Sequence, residues 1–515
     1  MIITQKTRKM AEKIIIIGAG ISGMSAGCYL QMNGFDTEIF ELHNQPGGLC
    51  TTWDRKGYHI DGCIHWLVGS RPGSGLYDAW NELIDMEKLE IYDHDVFYRF
   101  EDGNGNYINF YNNIDKLETE LLEKAPEDNA VIMDYIGAAR RFSKLKMPLG
   151  KPRELFTLAD GISALIHFGP FMPLLKKWSK VSIASFAGRC KNPLLKKTLG
   201  NLFVPEMSVV FVMITTAWMH NKIAGYPIGG SLHFSRLMEK KYFELGGKIH
   251  YNSRISKILT RKSDGKKMAH GVITDRAETH YADYVVSAAD GHNTLFEMLE
   301  GQYTDIKTRQ FYENELTFPS FFQLSLGINR VLETEASSLI FPLSTPVELE
   351  PGNIIRDISV RVHSFDPTLA PTGKTLLTAM ITSSNEAYWS DLRMNDFRKY
   401  KAEKERITRE LTEAMEVRLG PLSLHLEMSD LSTPATVVRY TNNWRGSFEG
   451  WIMTPKLGLF NQLPMTLPGL EKFYMAGQWT APGGGLPTAL MCGRGVSQLI
   501  CRKSGKKFKS RPFNA

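Results

Sequence analysis

Cysteine is scarce in this chain, and no two cysteines have the spacing of a metal site or of a CxxC redox motif. The 515 residues contain six scattered cysteines: Cys28, Cys50, Cys63, Cys190, Cys492 and Cys501. This pattern argues against a zinc site and against a secreted fold held together by disulfides. We therefore expect a reducing, cytoplasmic environment and no bound metal.

Several other signatures are missing. The sequence has no Walker-type phosphate loop, no Ser-His-Asp arrangement, no low-complexity tract and no internal repeat. Its net charge of +6 and pI near 8.7 are too mild and too dispersed to indicate nucleic-acid binding. The basic N-terminal segment and the isoleucines after it imitate an export signal, but the apolar run is too short, so we predict a strand there instead.

A glycine-rich turn follows that first strand. The run Gly18-Ala19-Gly20-Ile21-Ser22-Gly23 comes directly after four isoleucines, and a second strand ends on the acid Glu41. Gly18 permits a sharp turn, Gly20 leaves room for a pyrophosphate at a helix N-terminus, and Gly23 lets helix and strand pack closely. Glu41 is then placed to accept a hydrogen bond from a ribose hydroxyl. This pattern predicts a dinucleotide-binding βαβ unit, and the chain contains it once.

The residues that follow indicate which dinucleotide is bound. Pro46-Gly47-Gly48-Leu49 and Gly57-Tyr58-His59-Ile60-Asp61-Gly62 together resemble the FAD-binding signature of a flavoprotein superfamily. That superfamily includes amine oxidases, protoporphyrinogen oxidase, carotenoid desaturases and isomerases, and retinol saturase. The resemblance implies that Gly47 and Gly48 approach the FAD phosphates and that the stretch 61–66 approaches the flavin ring. Leu49 replaces an arginine common in the superfamily, which points to the isomerase-like and saturase-like members.

The C-terminus carries a matching signature. A buried strand ends at Gly477-Gln478, and the loop Pro482-Gly483-Gly484-Gly485-Leu486 opens a helix at Pro487. Proline is well tolerated in the first helical turn. The resemblance implies that the positive end of this helix faces the N1/C2=O edge of the flavin. Gln478 stands where the superfamily usually has an aspartate that contacts the ribityl chain.

Two further blocks extend the resemblance over most of the chain. One includes Ile228-Gly229-Gly230-Ser231-Leu232, Ile255 and Val285-Val286-Ser287-Ala288-Ala289-Asp290, and the other is Ser364-Phe365-Asp366-Pro367. With these blocks the chain resembles the phytoene desaturase, carotenoid isomerase and retinol saturase branch. The resemblance implies these FAD-binding residues: Gly18, Gly20, Ile21, Ser22, Gly23, Glu41, Gly47, Gly48, Leu49, Gly62, Ile64, His65, Ile255, Ala289, Gly477, Gln478, Gly485 and Leu486.

Length and these blocks together predict two intertwined domains in an α/β fold. With 43% hydrophobic residues, 515 residues bury a large core and exceed the usual ~100–200 residues of one domain. A Rossmann-like FAD-binding domain is expected in three segments, 1–75, 221–300 and 431–515. An α+β substrate-binding domain is expected in 76–220 and 301–430.

Two apolar runs bear on the substrate. The run 161–175 is uncharged and is followed by Lys176, Lys177 and Lys180. Fifteen residues are too few to span a bilayer, which takes about 20. This composition predicts either a helix at a membrane surface or a buried helix pair. The run 207–219, with three methionines, is either core or the wall of a tunnel for an elongated apolar ligand.

Catalytic side chains are harder to identify, because the flavin does most of the chemistry in this branch. His65 is the first candidate, as a proton donor or acceptor near neutral pH, with a structural role as the alternative. Arg445 and Glu449 lie in a glycine and aromatic loop. These two residues either line the ring pocket or pair with each other.

We therefore expect an FAD-dependent oxidoreductase that acts on C–C or C=C bonds of a long apolar substrate such as a carotenoid, a retinoid or another isoprenoid. The sequence leaves the electron donor or acceptor open. An amine or porphyrinogen oxidase is the alternative within enzymes, and Trp66, Trp444 and Trp479 are candidates for the aromatic cage that an amine oxidase needs. A non-catalytic prenyl-lipid-binding protein of the same fold is the alternative outside enzymes.

Overall fold

A computed structural model describes residues 11–146, 149–458 and 463–513. The N-terminal residues assigned above to the first FAD segment lie partly outside this range. The first strand, Lys13–Ile17, is flanked on both sides by parallel neighbours, and Ile14, Ile15 and Ile16 are fully buried. A strand buried on both faces reads as a continuous apolar run, which explains the four isoleucines.

Within the described residues this strand is the centre of a five-stranded parallel sheet. The strands in spatial order are Lys248–His250, Asp36–Phe40, Lys13–Ile17, Tyr284–Ser287 and Phe473–Met475. They come from three separate stretches of chain, so residues hundreds of positions apart meet at one sheet edge. The domain boundaries given above stay a prediction.

Three helices cover this sheet: Ile21–Met32, Gly230–Glu244 and Gly485–Lys503. The first and last cross closely, because a Cβ on Gly493 would lie 2.4 Å from the carbonyl oxygen of Ser22. The other face carries an antiparallel sheet of Ile255–Ser263, Lys266–Thr274 and Thr279–Tyr281, extended by Leu470–Glu471. The result is a layered α/β arrangement, as the glycine signatures predict.

A second, mixed sheet belongs to the other half of the molecule. Its seven strands among the described residues are, in spatial order, Leu426–Ser432, Ser320–Ile328, Thr375–Ser383, Asn353–Val362, Ser338–Glu350, Val96–Glu101 and Tyr107–Tyr111. The helix Phe397–Leu419 packs on it through Ile407, Leu411 and Met415, which are fully buried and four residues apart. This spacing puts the three side chains on one helix face.

A helical layer joins the two halves. Its helices are Ile114–Lys124, Asn129–Phe142, Leu158–Phe168, Met172–Trp178, Ile183–Ala187, Pro193–Gly200 and Val209–His220. The remaining α-helices of the described residues are Gly75–Asn81, Ile306–Asn314, Glu386–Asn395 and Pro434–Thr441. Short strands complete the fold: the hairpin Thr52–Arg55 with Tyr58–Asp61, and the small sheet of Leu67–Val68, Ala224–Pro227 and Ile91–Tyr92. The two sheets and this layer enclose a large cavity.

Candidate active site

The glycine-rich turn forms one end of the cavity. Gly18 adopts φ +96°, and a Cβ on Gly23 would lie 1.9 Å from the Gly18 carbonyl oxygen, so both positions require glycine. Gly20 caps the helix that starts at Ile21, and no side chain satisfies the first N–H groups of this helix. Those donors and the positive helix end favour an anionic group in the cavity.

The second glycine pair lies directly against the first turn. Gly47 forms a backbone bridge with Gly20, and a Cβ on Gly47 would lie 2.1 Å from the carbonyl oxygen of Cys50. Gly48 packs so near that its Cβ would meet the Gly20 Cα at 3.6 Å. Bare backbone therefore lines this end of the cavity on two sides.

The Glu41 side chain stabilises the glycine turn through hydrogen bonds to backbone N–H groups. One carboxylate oxygen accepts a hydrogen bond from the Ala19 N–H at 2.6 Å, and the other accepts one from the His43 N–H at 2.8 Å. Burial raises the pKa of this carboxyl, against the effect of these hydrogen bonds. Glu41 also lines the cavity. Its predicted contact with a ribose hydroxyl stays a prediction, and its bond to Ala19 shows a second task that the sequence pattern did not indicate.

The C-terminal loop closes the cavity from the other side. Gly477, Gly483, Gly484 and Gly485 all have positive φ angles. The helix Gly485–Lys503 starts there, with Pro487 in its first turn and no side-chain cap. This gives the cavity a second helix N-terminus with free N–H donors.

The cavity has a volume of about 1630 Å³ and runs from the glycine turns into the helical layer. It collects nearly all of the residues predicted to bind FAD: Gly18, Gly20, Ile21, Ser22, Glu41, Gly47, Gly48, Leu49, Gly62, Ile64, His65, Ile255, Ala289, Gly477, Gln478, Gly485 and Leu486. Gly23 is not among its lining residues, in keeping with its predicted packing task. The structure brings the seventeen lining residues together at one cavity. Their roles in FAD binding stay predictions.

This end of the cavity fits a dinucleotide such as FAD. Two uncapped helix N-termini face it, and they match the negative charge of a pyrophosphate. The hydroxyl of Ser22 and the indole N–H of Trp479 belong to cavity-lining residues and are buried without a hydrogen-bond partner in the structure. Buried polar atoms are normally satisfied, so these two groups suit a bound polar molecule.

The other end of the cavity is apolar. Helix Val209–His220 contributes Phe211, Ile214 and Trp218, which lie on one face, while Met213 and Met219 pack into the core. Of the three methionines in the predicted tunnel wall, only Met207 lines the cavity. The run 207–219 is therefore both core and wall, and its part of the wall consists of Met207, Phe211, Ile214 and Trp218.

The predicted membrane or buried segment lies at the mouth of the cavity. Leu158, Ile162 and Ile166 are 90%, 62% and 73% exposed, which excludes the buried helix pair for this helix. Leu165 and Phe168 from the same helix line the cavity. The helical stretch Leu158–Trp178 has 21 residues, an 18-residue window within it has a mean hydropathy of 1.3, and by length and composition it is the one segment of the described residues able to cross a bilayer.

Glu449 is the titratable side chain that the structure places best for proton transfer. Burial raises the pKa of its carboxyl to about 7. The side chain lines the cavity beside the last helix, and a Cβ on Gly485 would lie 3.9 Å from a Glu449 carboxylate oxygen. No described residue donates a hydrogen bond to this carboxylate. A carboxyl with a pKa near neutrality is able to donate or accept a proton under physiological conditions.

His65 and Arg445 differ from the expectations for them. His65 lines the cavity, but burial and then the charge of Arg361 hold the pKa of its imidazole well below its usual range, so the ring stays neutral at pH 7. A proton-transfer role for His65 stays a prediction, and the neutral ring favours the structural alternative. Arg445 is exposed outside the cavity and stacks its guanidinium on the Trp444 ring at 4.2 Å. It neither lines the pocket nor pairs with Glu449 among the described residues.

A buried polar network behind the cavity escaped the sequence analysis. Asp61 accepts hydrogen bonds from the Ser231 hydroxyl and from the Tyr226 hydroxyl, the latter at 3.1 Å. Tyr226 also reaches Asp366 at 3.1 Å, and the Gln323 side chain donates to the Asp61 carbonyl at 2.8 Å. Asp61 thus anchors the turn. Asp366 lies in the Ser-Phe-Asp-Pro motif, which was the sequence feature that could have pointed to this network.

Comparison with known proteins agrees with this geometry. The family model described as flavin containing amine oxidoreductase matches residues 21–501. The chain is 23% identical to the chloroplastic prolycopene isomerase of Arabidopsis thaliana, over 96% of this chain and 84% of that protein. It is also 23% identical to the 4,4'-diapophytoene desaturase (4,4'-diapolycopene-forming) of Methylomonas sp, over 98% of both chains.

A solved structure of a putrescine oxidase variant superimposes with a TM-score of 0.61 at 12% identity, over 96% of this chain and 99% of that chain. At this identity the likeness concerns the fold alone, and it confirms the predicted α/β fold class. The family match covers most of the chain, and it confirms the predicted FAD cofactor and enzyme class. The chain therefore belongs to the flavin containing amine oxidoreductase family and is an FAD-dependent oxidoreductase.

Proposed function

We propose that this enzyme acts on a C–C or C=C unit of a long apolar substrate such as a carotenoid or another isoprenoid. The observation that carries the proposal is the continuous cavity, which joins the glycine turns to an exposed apolar helix. Its volume of about 1630 Å³ exceeds the ~300–1,000 Å³ of an ordinary ligand pocket. It therefore has room for FAD and for a second, elongated molecule.

The residues at the polar end would hold the cofactor. The helix ends at Ile21 and Gly485, with Gly47 and Gly48, would receive the phosphates and the polar edge of the flavin through backbone N–H groups. Bound FAD supplies hydride or electron exchange with a carbon–carbon unit. The chain itself binds and orients the substrate, keeps water out through its apolar wall, and offers the Glu449 carboxyl as the group that moves a proton.

The relatives support this substrate class. Both curated relatives named above carry carotenoid names, and each matches this chain almost from end to end. The apolar end of the cavity suits such molecules, since the aromatic side chains Phe203, Phe211 and Trp218 line it. Of the three candidates for an amine oxidase cage, Trp66 and Trp479 line the cavity, whereas Trp444 lies outside the lining and packs with Trp451 and Trp479. The amine oxidase alternative is therefore included in the experiment on substrate class.

A membrane surface is the proposed source of the substrate. The exposed side of helix Leu158–Phe168 is apolar, its inner side forms the cavity mouth, and exposed Lys176 and Lys180 follow it. Large exposed apolar surfaces mark binding sites, and an apolar helix with a basic flank suits the interface of an anionic bilayer. Leu174, Leu175 and Trp178 pack into the protein core, so the second half of the stretch anchors the helix to the protein. We propose peripheral attachment from the cytoplasmic side.

The membrane proposal predicts the effect of two charges on this helix. Ile162→Glu together with Ile166→Glu should weaken binding to anionic phospholipid vesicles by about tenfold or more per residue, because each isoleucine contributes about 1.5–3 kcal/mol when buried in lipid. Vesicle co-sedimentation measures the loss. Val417→Glu is the matched control, since Val417 is 83% exposed on a helix of the other half. Equal vesicle binding by the double variant and by wild type would refute peripheral attachment through this helix.

Turnover of detergent-solubilised substrate provides the second half of that test. Neither isoleucine lines the cavity, so the double variant should keep its activity in detergent while losing it on vesicles. Loss in both media would instead indicate damage to the fold.

The substrate class is tested by anaerobic absorbance spectroscopy of the holoenzyme. The oxidised and the dithionite-reduced protein are each mixed with polyenes, saturated isoprenoids and putrescine, and the products are separated by chromatography. We expect a polyene or its more saturated counterpart to change the flavin spectrum or to be converted. Reduction of the flavin by putrescine, with no response to any isoprenoid, would favour the amine oxidase alternative and overturn the proposal.

A further inference from the structure

Two cysteines meet at the open end of the hairpin 52–61. The last pair of the hairpin is Thr52 with Asp61. The Gly62 N–H donates to the Thr51 carbonyl at 3.0 Å, so the same register continues for one more pair. The next opposed pair is Cys50 and Cys63. Opposed residues on antiparallel strands have Cα atoms about 4.5–5.5 Å apart, and disulfides join Cα atoms about 4.4–6.8 Å apart. This position is therefore suitable for a cross-strand disulfide.

The thiols of this pair interact directly. The hydrogen bond with the Cys50 thiol is the largest reason why the pKa of the Cys63 thiol is raised well above its usual value, and burial is the second. Cys50 is 2% exposed, and its thiol also donates to the Ser231 carbonyl at 3.6 Å. The two sulfurs are thus held side by side.

Both cysteines line the cavity at its polar end. Cys50 follows the glycine pair at 47–48, and Cys63 precedes Ile64 and His65, which also line the cavity. Other cysteines have different surroundings: the Cys28 thiol donates to the Met238 carbonyl away from the cavity lining. Cys492 also lines the cavity, but its thiol contacts the Thr480 hydroxyl at 3.3 Å. A packing role alone does not require two thiols to face each other at the cofactor end of a cavity.

We propose that Cys50 and Cys63 form a redox-active dithiol–disulfide pair that exchanges two electrons with the FAD held in the same cavity. The inference rests on the cofactor placement proposed above, and not on the identity of the substrate. On oxidation of the pair, two S–H bonds break, one S–S bond forms, and two electrons and two protons pass to the oxidised cofactor. A small dithiol from solution would return the pair to its reduced form by thiol–disulfide exchange. The pair would thereby supply the electron source that the sequence leaves open.

An electron count tests the proposal on the holoenzyme. The protein is oxidised with diamide, freed of reagent and titrated anaerobically with dithionite, with absorbance read after each addition has equilibrated. Wild type should take up about four electrons per FAD, two for the disulfide and two for the cofactor. Cys63→Ser should take up about two. Cys501→Ser is the matched control, because Cys501 is buried in the last helix and does not line the cavity, and it should keep the wild-type count.

Peptide mapping gives a readout that is independent of the flavin. Arg55 and Lys56 lie between the two cysteines, so trypsin separates Cys50 from Cys63 unless a disulfide joins them. In a Cys28→Ser background, tryptic digestion of the diamide-treated holoenzyme should yield the joined peptide. Dithionite added after diamide and before digestion should remove it. A count of about two electrons for wild type, or the absence of the joined peptide, would overturn the proposal. Neither readout uses a polyene, so a failure here is distinct from a failure of the proposed substrate class.

Discussion

Gly20→Val should give a folded protein that has lost its FAD. The backbone at Gly20 is extended, with φ −66° and ψ 171°, so valine is sterically allowed there. A Cβ at this position meets no protein atom closer than the Gly47 carbonyl oxygen at 4.0 Å. The branched carbons would therefore enter the cavity where the cofactor phosphates are proposed to lie. We expect the ratio of flavin to protein absorbance to fall by at least about tenfold, which corresponds to about 1.4 kcal/mol of binding free energy.

Two comparisons separate lost binding from lost folding. Gly137→Val is the matched control, because Gly137 lies in helix Asn129–Phe142 and a Cβ there would meet no described atom within 4 Å, and it should retain FAD. Thermal unfolding of the Gly20→Val apoprotein should match that of the wild-type protein stripped of FAD. A variant that kept stoichiometric FAD would show that the cofactor phosphates do not lie at this turn.

The cofactor end of the cavity could be predicted because local backbone chemistry determines it. Gly18 and Gly477 sit at positive φ angles after buried parallel strands, and glycine is the residue that adopts them without strain. Parallel strands from distant stretches end at the same sheet edge, so residues some 460 positions apart in the sequence line one cavity. Sequence patterns therefore identified most of its lining.

The directions in which several side chains point could not be predicted from the sequence. Arg445 and Glu449 are four residues apart, but Arg445 adopts a left-handed backbone with φ 56°, and its side chain stacks on Trp444 outside the cavity. Cys50 and Cys63 are separated by a hairpin, and only its register brings their thiols together. The sequence also does not predict that one side of helix Leu158–Phe168 is exposed to solvent. An apolar composition normally indicates burial. Each of these features depends on tertiary contacts that no local pattern records.

Glu449→Gln should abolish a pH-dependent step in turnover. Burial raises the pKa of the Glu449 carboxyl to about 7, so the neutral acid is available below that pH and is lost above it. If this acid donates a proton, wild-type activity should fall as pH rises through about 7. Glutamine keeps the size of the side chain but transfers no proton, so turnover should drop by about 10²–10⁴-fold, and the fall near pH 7 should disappear. Steady-state rates between pH 5.5 and 9 measure both effects, with FAD content checked throughout.

The stability of the apoprotein provides a check on the same carboxyl without any substrate. Its folded pKa lies above the unfolded value near 4.5, so folded protein binds more protons between these values and loses stability as pH rises from about 4.5 to 7. Glu449→Gln should remove this part of the loss, at most about 3 kcal/mol between pH 4.5 and 8. The contribution of Asp290, whose pKa burial also raises to about 7, is present in both proteins and cancels. His65→Ala should keep the activity step near pH 7, because its imidazole is already neutral there. A step that survived in Glu449→Gln and vanished in His65→Ala would transfer the proton-moving role to His65.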